Sequence, residues 1–170
     1  AIGGGLPLGA YGMTRELAAA FERGTAPDGR PAELATGGTL FGNALSMAAA
    51  RAALLEVLTE EAYERSAALG AALADGMERI IAAAGLPWAV QRLYARSGVS
   101  FTGRLARNAA EWDEDERPAL NGLLRLYLAN RGVWEAIETA GPAMSVAATE
   151  ADVALYLGAF GAFVGDLVAL

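Results

Sequence analysis

The chain has 170 residues, 54% of them hydrophobic and 8% aromatic, and a formal net charge of -7 from 13 basic and 20 acidic side chains. All the basic residues are Arg; there is no Lys, His or Cys. These residues alone therefore supply no disulfide, thiolate metal site, cysteine nucleophile, histidine relay, Schiff-base lysine or phosphate-loop lysine.

Residues 1–13 (AIGGGLPLGAYGM) are rich in Gly and apolar residues and read as a short strand entering a tight loop at Gly3-Gly4-Gly5 and Pro7. They have neither the basic nor the long apolar region of a secretory signal. The opening inside a buried-strand pattern leads us to expect sequence upstream. Thr14 is placed to cap a helix reaching about Arg23. A polar Gly/Pro loop covers residues 24–33, and Thr36 to Asn43 packs three Gly and one Asn into a turn. The Ala-rich stretch from Ala44 to Leu58 reads as a long helix.

Thr59-Glu60-Glu61 caps a further helix reaching about Ala84, with Ala62, Leu69, Leu73, Ile80 and Ala84 at helical spacing. Glu61 with Arg65 and Asp75 with Arg79 are expected ion pairs one turn apart. Gly85-Leu86-Pro87 stops the helix. Trp88 to Leu93 and Val99 to Phe101 read as strands, and Arg104 to Arg117 as a charged connector. Pro118 to Asn130 is a predicted helix with Leu120, Leu123, Leu124 and Leu128 on its apolar side. Val133-Trp134 and Met144 to Ala147 are predicted short strands. Thr149 to Asp152 resembles a capping box. It opens a last helix with Val153, Leu157, Phe160, Val164 and Leu167 on one stripe. Residues 153–170 are slightly short for a membrane span and read as a buried terminal helix. The order of elements from residue 59 is α+β, with helices covering one face of an antiparallel sheet.

Few motifs carry chemistry. GGGLPLG at Gly3–Gly9 fails the dinucleotide spacing and lacks a phosphate-loop Lys. GGTLFGN at Gly37–Asn43 sets Gly backbone donors and a Thr hydroxyl ahead of a long helix. It reads either as an anion cradle or as an ordinary turn with Asn43 as the helix cap. The acidic run Glu111 to Glu116 lacks the alternating ligands and Gly turn of a calcium loop and reads as a solvated linker. The three Trp read as core-edge packing. An acidic chain without a basic run suits neither nucleic acid nor an anionic membrane surface, and the cytoplasm is the expected location.

Two segments, AIGGGLPLGAYGMTREL and GTLFGNALSMAAARAALLEVL, resemble the class III, fold type I pyridoxal-phosphate (PLP) aminotransferases, most of all the glutamate-1-semialdehyde aminomutase branch. LANRGVWEAI and MSVAATEADVALYL resemble the same family's small-domain strands and final helix. The resemblance implies a C-terminal portion of such an enzyme. Residues 1–43 would be a remnant of the α/β PLP-binding large domain, residues 44–58 a bridging helix, and residues 59–170 the small α+β domain. It implies PLP as cofactor, a homodimer with the site at the interface, and a small-molecule amino donor and acceptor. Gly38 and Thr39 would reach the partner's PLP phosphate, and Glu138 lies near the branch's substrate-gating Glu. The PLP lysine would fall just before Ala1, so no catalytic residue is assigned within the chain, and the chain alone is expected to be inactive. The reading from a different class is a non-catalytic α+β interaction module.

Overall fold

A computed structural model describes residues 2–23, 38–115, 117–135 and 141–170. The chain divides into two compact units, residues 1–58 and residues 59–170.

In the first unit, α1 (Arg15–Arg23) begins where Thr14 predicts: the Thr14 hydroxyl accepts from the Leu17 N–H at 3.3 Å. The strand expected before it is absent. Leu6 N–H closes a turn on the Gly3 carbonyl at 3.0 Å, and Gly4 and Gly5 take left-handed φ values of 58° and 99°. A strand exists only by pairing, and no described strand flanks these residues. The next helix, α2 (Ala44–Ala52), runs into a π-helical turn, Ala53–Val57, closed by Leu58 N–H on Ala53 C=O at 2.8 Å.

The second unit is built on α3 (Glu60–Ala83), capped by the Thr59 hydroxyl, which accepts from the Ala62 N–H at 3.2 Å. Gly85 ends it with φ 66°. The strands β1 (Ala89–Leu93) and β2 (Arg96–Ser100) then pair antiparallel, Val90 opposite Val99. One face of this hairpin packs on α3. Gly70 permits the contact, since a Cβ there would lie 2.5 Å from the Tyr94 carbonyl oxygen. Further along lie α4 (Ala109–Asp115), α5 (Pro118–Ala129) and α6 (Glu150–Val168). The core gathers α3, α5 and α6 around Leu73, Met77, Leu128 and Phe160, all 0% exposed. The described elements are thus α+β, with one hairpin and helices on it.

Four expectations give way here. The connector 104–117 contains α4, because Asn108 caps it (Oδ1 accepts from Glu111 N–H at 3.0 Å) and Arg107 holds Glu111 at 2.8 Å. Asp75 bonds Arg92 of β1 at 2.6 Å in place of Arg79, and Arg65 donates to the Val146 carbonyl in place of Glu61. Cross-element partners hold these side chains better than a flexible neighbour on the same helix. The strands predicted at Val133-Trp134 and Met144–Ala147 reduce to one bridge between Ala143 and Arg96. Pro142 has no N–H to extend the ladder, and Gly141 turns away with φ 66°. The apolar stripe of α6 is broader than predicted: Tyr156, Ala159 and Phe163 join Val153, Phe160 and Val164 as buried residues. That helix is long and apolar enough to cross a membrane by length and composition, but in this fold those faces pack against α3 and α5.

Candidate functional site

The turn at Gly38–Asn43 is shaped by local bonds. Phe41 N–H donates to the Gly38 carbonyl at 3.0 Å, and Gly42 takes φ 63°. Asn43 then caps α2: its Oδ1 accepts from Ser46 N–H at 2.9 Å, and its Nδ2 donates to the Leu40 carbonyl at 2.8 Å and to Ser46 Oγ at 3.0 Å. The buried Ser46 hydroxyl donates to the Pro7 carbonyl at 3.0 Å, which fastens the turn to the Gly-rich N-terminal segment. The helix cap predicted for Asn43 is therefore present. It does not exclude the anion cradle, because capping engages Asn43 and leaves the tip of the turn unspent.

Gly38, Thr39, Leu40, Phe41 and Gly42 are exposed. Among the described residues no hydrogen-bond partner faces the Thr39 hydroxyl. The first turn of α2 carries no acid, so the positive end of the helix is not neutralised. Backbone donors, a hydroxyl and a helix N-terminus without a carboxylate make a donor set that suits a phosphate. Their exposure suits a phosphate that approaches from outside the unit. Glu138, the other site residue singled out from the sequence, lies outside the described residues.

The second unit holds a polar cluster that the sequence patterns passed over. Tyr156, 4% exposed, donates from its hydroxyl to Glu135 Oε1 at 2.8 Å. Burial pushes the Glu135 carboxyl above the usual carboxylate range, partly offset by the Tyr156 hydrogen bond and by the charge of Arg125. Burial, and then the Glu135 charge, push the Tyr156 phenol well above its ordinary value. Arg125 lies 4.7 Å over the Trp134 ring and donates to the Glu135 carbonyl at 3.3 Å. Glu135 and Tyr156 border a cleft of about 260 Å³ whose walls include Ser97, Trp112 and Leu124. The Ser97 hydroxyl is buried without a hydrogen-bond partner among the described residues. Tyr156 sits three residues after Val153 on the apolar stripe, and that spacing was the one signal in the sequence that could have placed it inside.

No family model matches the chain. It is 41% identical over 109 residues to the glutamate-1-semialdehyde 2,1-aminomutase of Anaeromyxobacter dehalogenans (strain 2CP-1 / ATCC BAA-258), an overlap of 64% of this chain and 24% of that protein. A solved lysine-to-alanine variant of a glutamate-1-semialdehyde aminomutase from Pseudomonas aeruginosa PAO1, in complex with PMP, matches with a TM-score of 0.79 and 32% identity. That match covers 92% of this chain and 35% of the other. A β-phenylalanine aminotransferase from Variovorax paradoxus matches with a TM-score of 0.83 and 29% identity, over 99% of this chain and 37% of the other.

The chain is thus similar in sequence and fold to one portion of the class III, fold type I PLP aminotransferases. Within that class it is similar to the glutamate-1-semialdehyde aminomutase branch. It spans between a quarter and little more than a third of the length of these relatives.

Proposed function

We propose that the chain is part of a PLP-dependent class III aminotransferase or aminomutase that moves an amino group between an amino acid or amine and a carbonyl acceptor. The carrying observation is the exposed, acid-free turn at Gly38–Asn43, held rigid by the Asn43 and Ser46 bonds. In this reading the Gly38 and Thr39 backbone N–H groups and the Thr39 hydroxyl hold the cofactor phosphate of a partner subunit. When bound, PLP supplies an electron sink for chemistry at the amine-bearing carbon. The lysine amine must come from residues other than these, so the chain alone is inactive. Residues 1–43 belong with the large domain, 44–58 bridge, and 59–170 form the small domain, with Glu138 near the substrate. The assembly is a cytoplasmic homodimer. The exposed Leu40, Phe41, Leu45, Leu54 and Leu55 support it, because a face so apolar is usually covered.

The same apolar face is what a non-catalytic interaction module would use, and one experiment separates the two readings. The chain is co-expressed with the lysine-bearing remainder of a glutamate-1-semialdehyde aminomutase, and amino transfer and PLP affinity are measured. The enzyme reading expects activity restored in the mixture. It also expects Thr39→Ala to weaken PLP binding roughly 10- to 100-fold, the worth of a hydrogen bond to a charged group. A stable but inert complex, or PLP affinity indifferent to Thr39, would overturn it.

A further inference from the structure

Ser46 stands in the first turn of α2, and the helix itself does not require it. Ala is the better helix former and fills positions 48–50 close by. Yet Ser46 is 4% exposed, the one buried polar side chain among the described residues of the first unit. A serine hydroxyl has one proton and two lone pairs. Here the proton goes to the Pro7 carbonyl at 3.0 Å, and a lone pair accepts from Asn43 Nδ2 at 3.0 Å. Among the described residues no other hydrogen bond joins residues 2–23 to residues 38–58. Both ends of this link are themselves held. At one end the Pro7 ring fixes its own φ. The turn before Pro7 is tight, since a Cβ on Gly3 would lie 2.5 Å from the Leu6 carbonyl oxygen. At the other end the same Asn43 amide donates to the Leu40 carbonyl at 2.8 Å, and Phe41 N–H holds the Gly38 carbonyl at 3.0 Å. Thr39 sits between these two carbonyls.

We propose that Ser46 is a positioning residue: its hydroxyl, strung between Pro7 and Asn43, sets the aim of the Gly38 and Thr39 donors. The inference deepens the phosphate-binding reading given above and rests on it. Ser46 touches no cofactor itself. It acts through Asn43 and the Leu40 carbonyl, so its removal should cost less phosphate affinity than removal of the Thr39 hydroxyl.

Ser46→Ala is the informative change, because it deletes the link and spares the helix. Backbone ¹⁵N relaxation on the full 170-residue chain reads the turn directly. The Thr39 and Leu40 amides should show order parameters of about 0.85 in the unaltered chain and below about 0.6 in Ser46→Ala, while the amides of Ala48, Ala49 and Ala50 stay rigid in both. Equal values at Thr39 and Leu40 in the two chains, high or low, would overturn the proposal. Ser46→Thr keeps the hydroxyl and should restore the rigid turn. A Ser46→Thr turn as loose as that of Ser46→Ala, with α2 intact, would also overturn it. In the co-expressed enzyme Ser46→Ala should weaken PLP binding roughly 2- to 10-fold, the worth of one net hydrogen bond, and kcat should recover at saturating PLP. A kcat that stays low at saturating PLP would mark a purely structural defect and sink the positioning role. Unchanged PLP affinity in Ser46→Ala, where Thr39→Ala loses it, would sink that role too and leave the phosphate reading in place. PLP affinity indifferent to Thr39→Ala would overturn the phosphate reading itself, whatever Ser46 does.

Discussion

Residues 1–58 and residues 59–170 solve different problems. The second unit owns a core: Leu73, Met77, Leu128 and Phe160 are wholly buried, and three helices and a hairpin supply the walls. In the first unit Ala50 is the one buried hydrophobic residue among those described, while Tyr11 is 76% exposed, Leu40 and Phe41 74%, Leu45 68% and Leu55 60%. Its order comes from caps and turns of the kind worth about 1 kcal/mol each. The contrast teaches that the unit carrying the Gly38–Asn43 turn holds its shape by local bonds and leaves its large apolar side chains exposed. The second unit buries its own apolar side chains in one core.

The sharpest way to break that contrast is to cut one large apolar side chain from each unit. Phe160→Ala should cost about 3–5 kcal/mol in denaturant unfolding, through lost transfer energy and the cavity left behind. Phe41→Ala should change it by less than about 0.5 kcal/mol, as surface changes usually do. Equal losses would mean that the two units share one core. A smaller effect tests the seam inside the second unit. At Gly70 a Cβ would meet the Tyr94 carbonyl at 2.5 Å and the Ala95 Cα at 2.7 Å, both backbone atoms with little room to yield. Gly70→Ala should therefore cost about 1–3 kcal/mol by overpacking, with the largest chemical-shift changes in the hairpin. Loss of stability without hairpin shifts would contradict this packing.

How far the sequence could be read follows the same division. Helices with local signals were legible: Thr14, Asn43, Thr59 and Pro118 each open the helix they predict. The antiparallel hairpin was legible as two β-rich runs, though its second strand begins earlier than predicted, at Arg96. Elements that depend on distant partners were not. Residues 1–13 look like a strand because their composition suits one, but pairing decides, and the described neighbours offer none. Arg92 takes Asp75 from across the fold, where spacing along a single helix pointed to Arg79. α4 was missed for the opposite reason: its Asn108-to-Glu111 signal is local, but the charge run around it hid the cap. At the candidate site, Gly38 and Thr39 stood out by residue type and by resemblance, whereas the Glu135–Tyr156 pair is made by the meeting of α6 with the end of α5.

The smallest expected effects lie in the pH dependence of the second unit, where two acids near α6 pull in opposite directions. Burial raises the Glu135 carboxyl, so the folded state holds its proton more tightly than the unfolded chain does. Its cost to folding is fully present above the raised value and fades as pH falls towards the ordinary carboxylate range. Asp152 is the reverse case. The Thr149 hydroxyl and backbone N–H, each 2.8 Å from Asp152 Oδ2, hold its carboxyl below the usual range. Its contribution is present above the ordinary value and is lost as pH falls through the lowered one. Thermal unfolding followed from pH 7 to pH 3 should thus give difference profiles of opposite sense. Glu135→Gln should be stabilised most relative to the unaltered chain at neutral pH, with the gap closing on acidification. Asp152→Asn should be destabilised at neutral pH, with its gap closing only at the acid end. A Glu135→Gln profile parallel to that of the unaltered chain would show that Glu135 titrates alike folded and unfolded, and that its burial against Tyr156 is not felt.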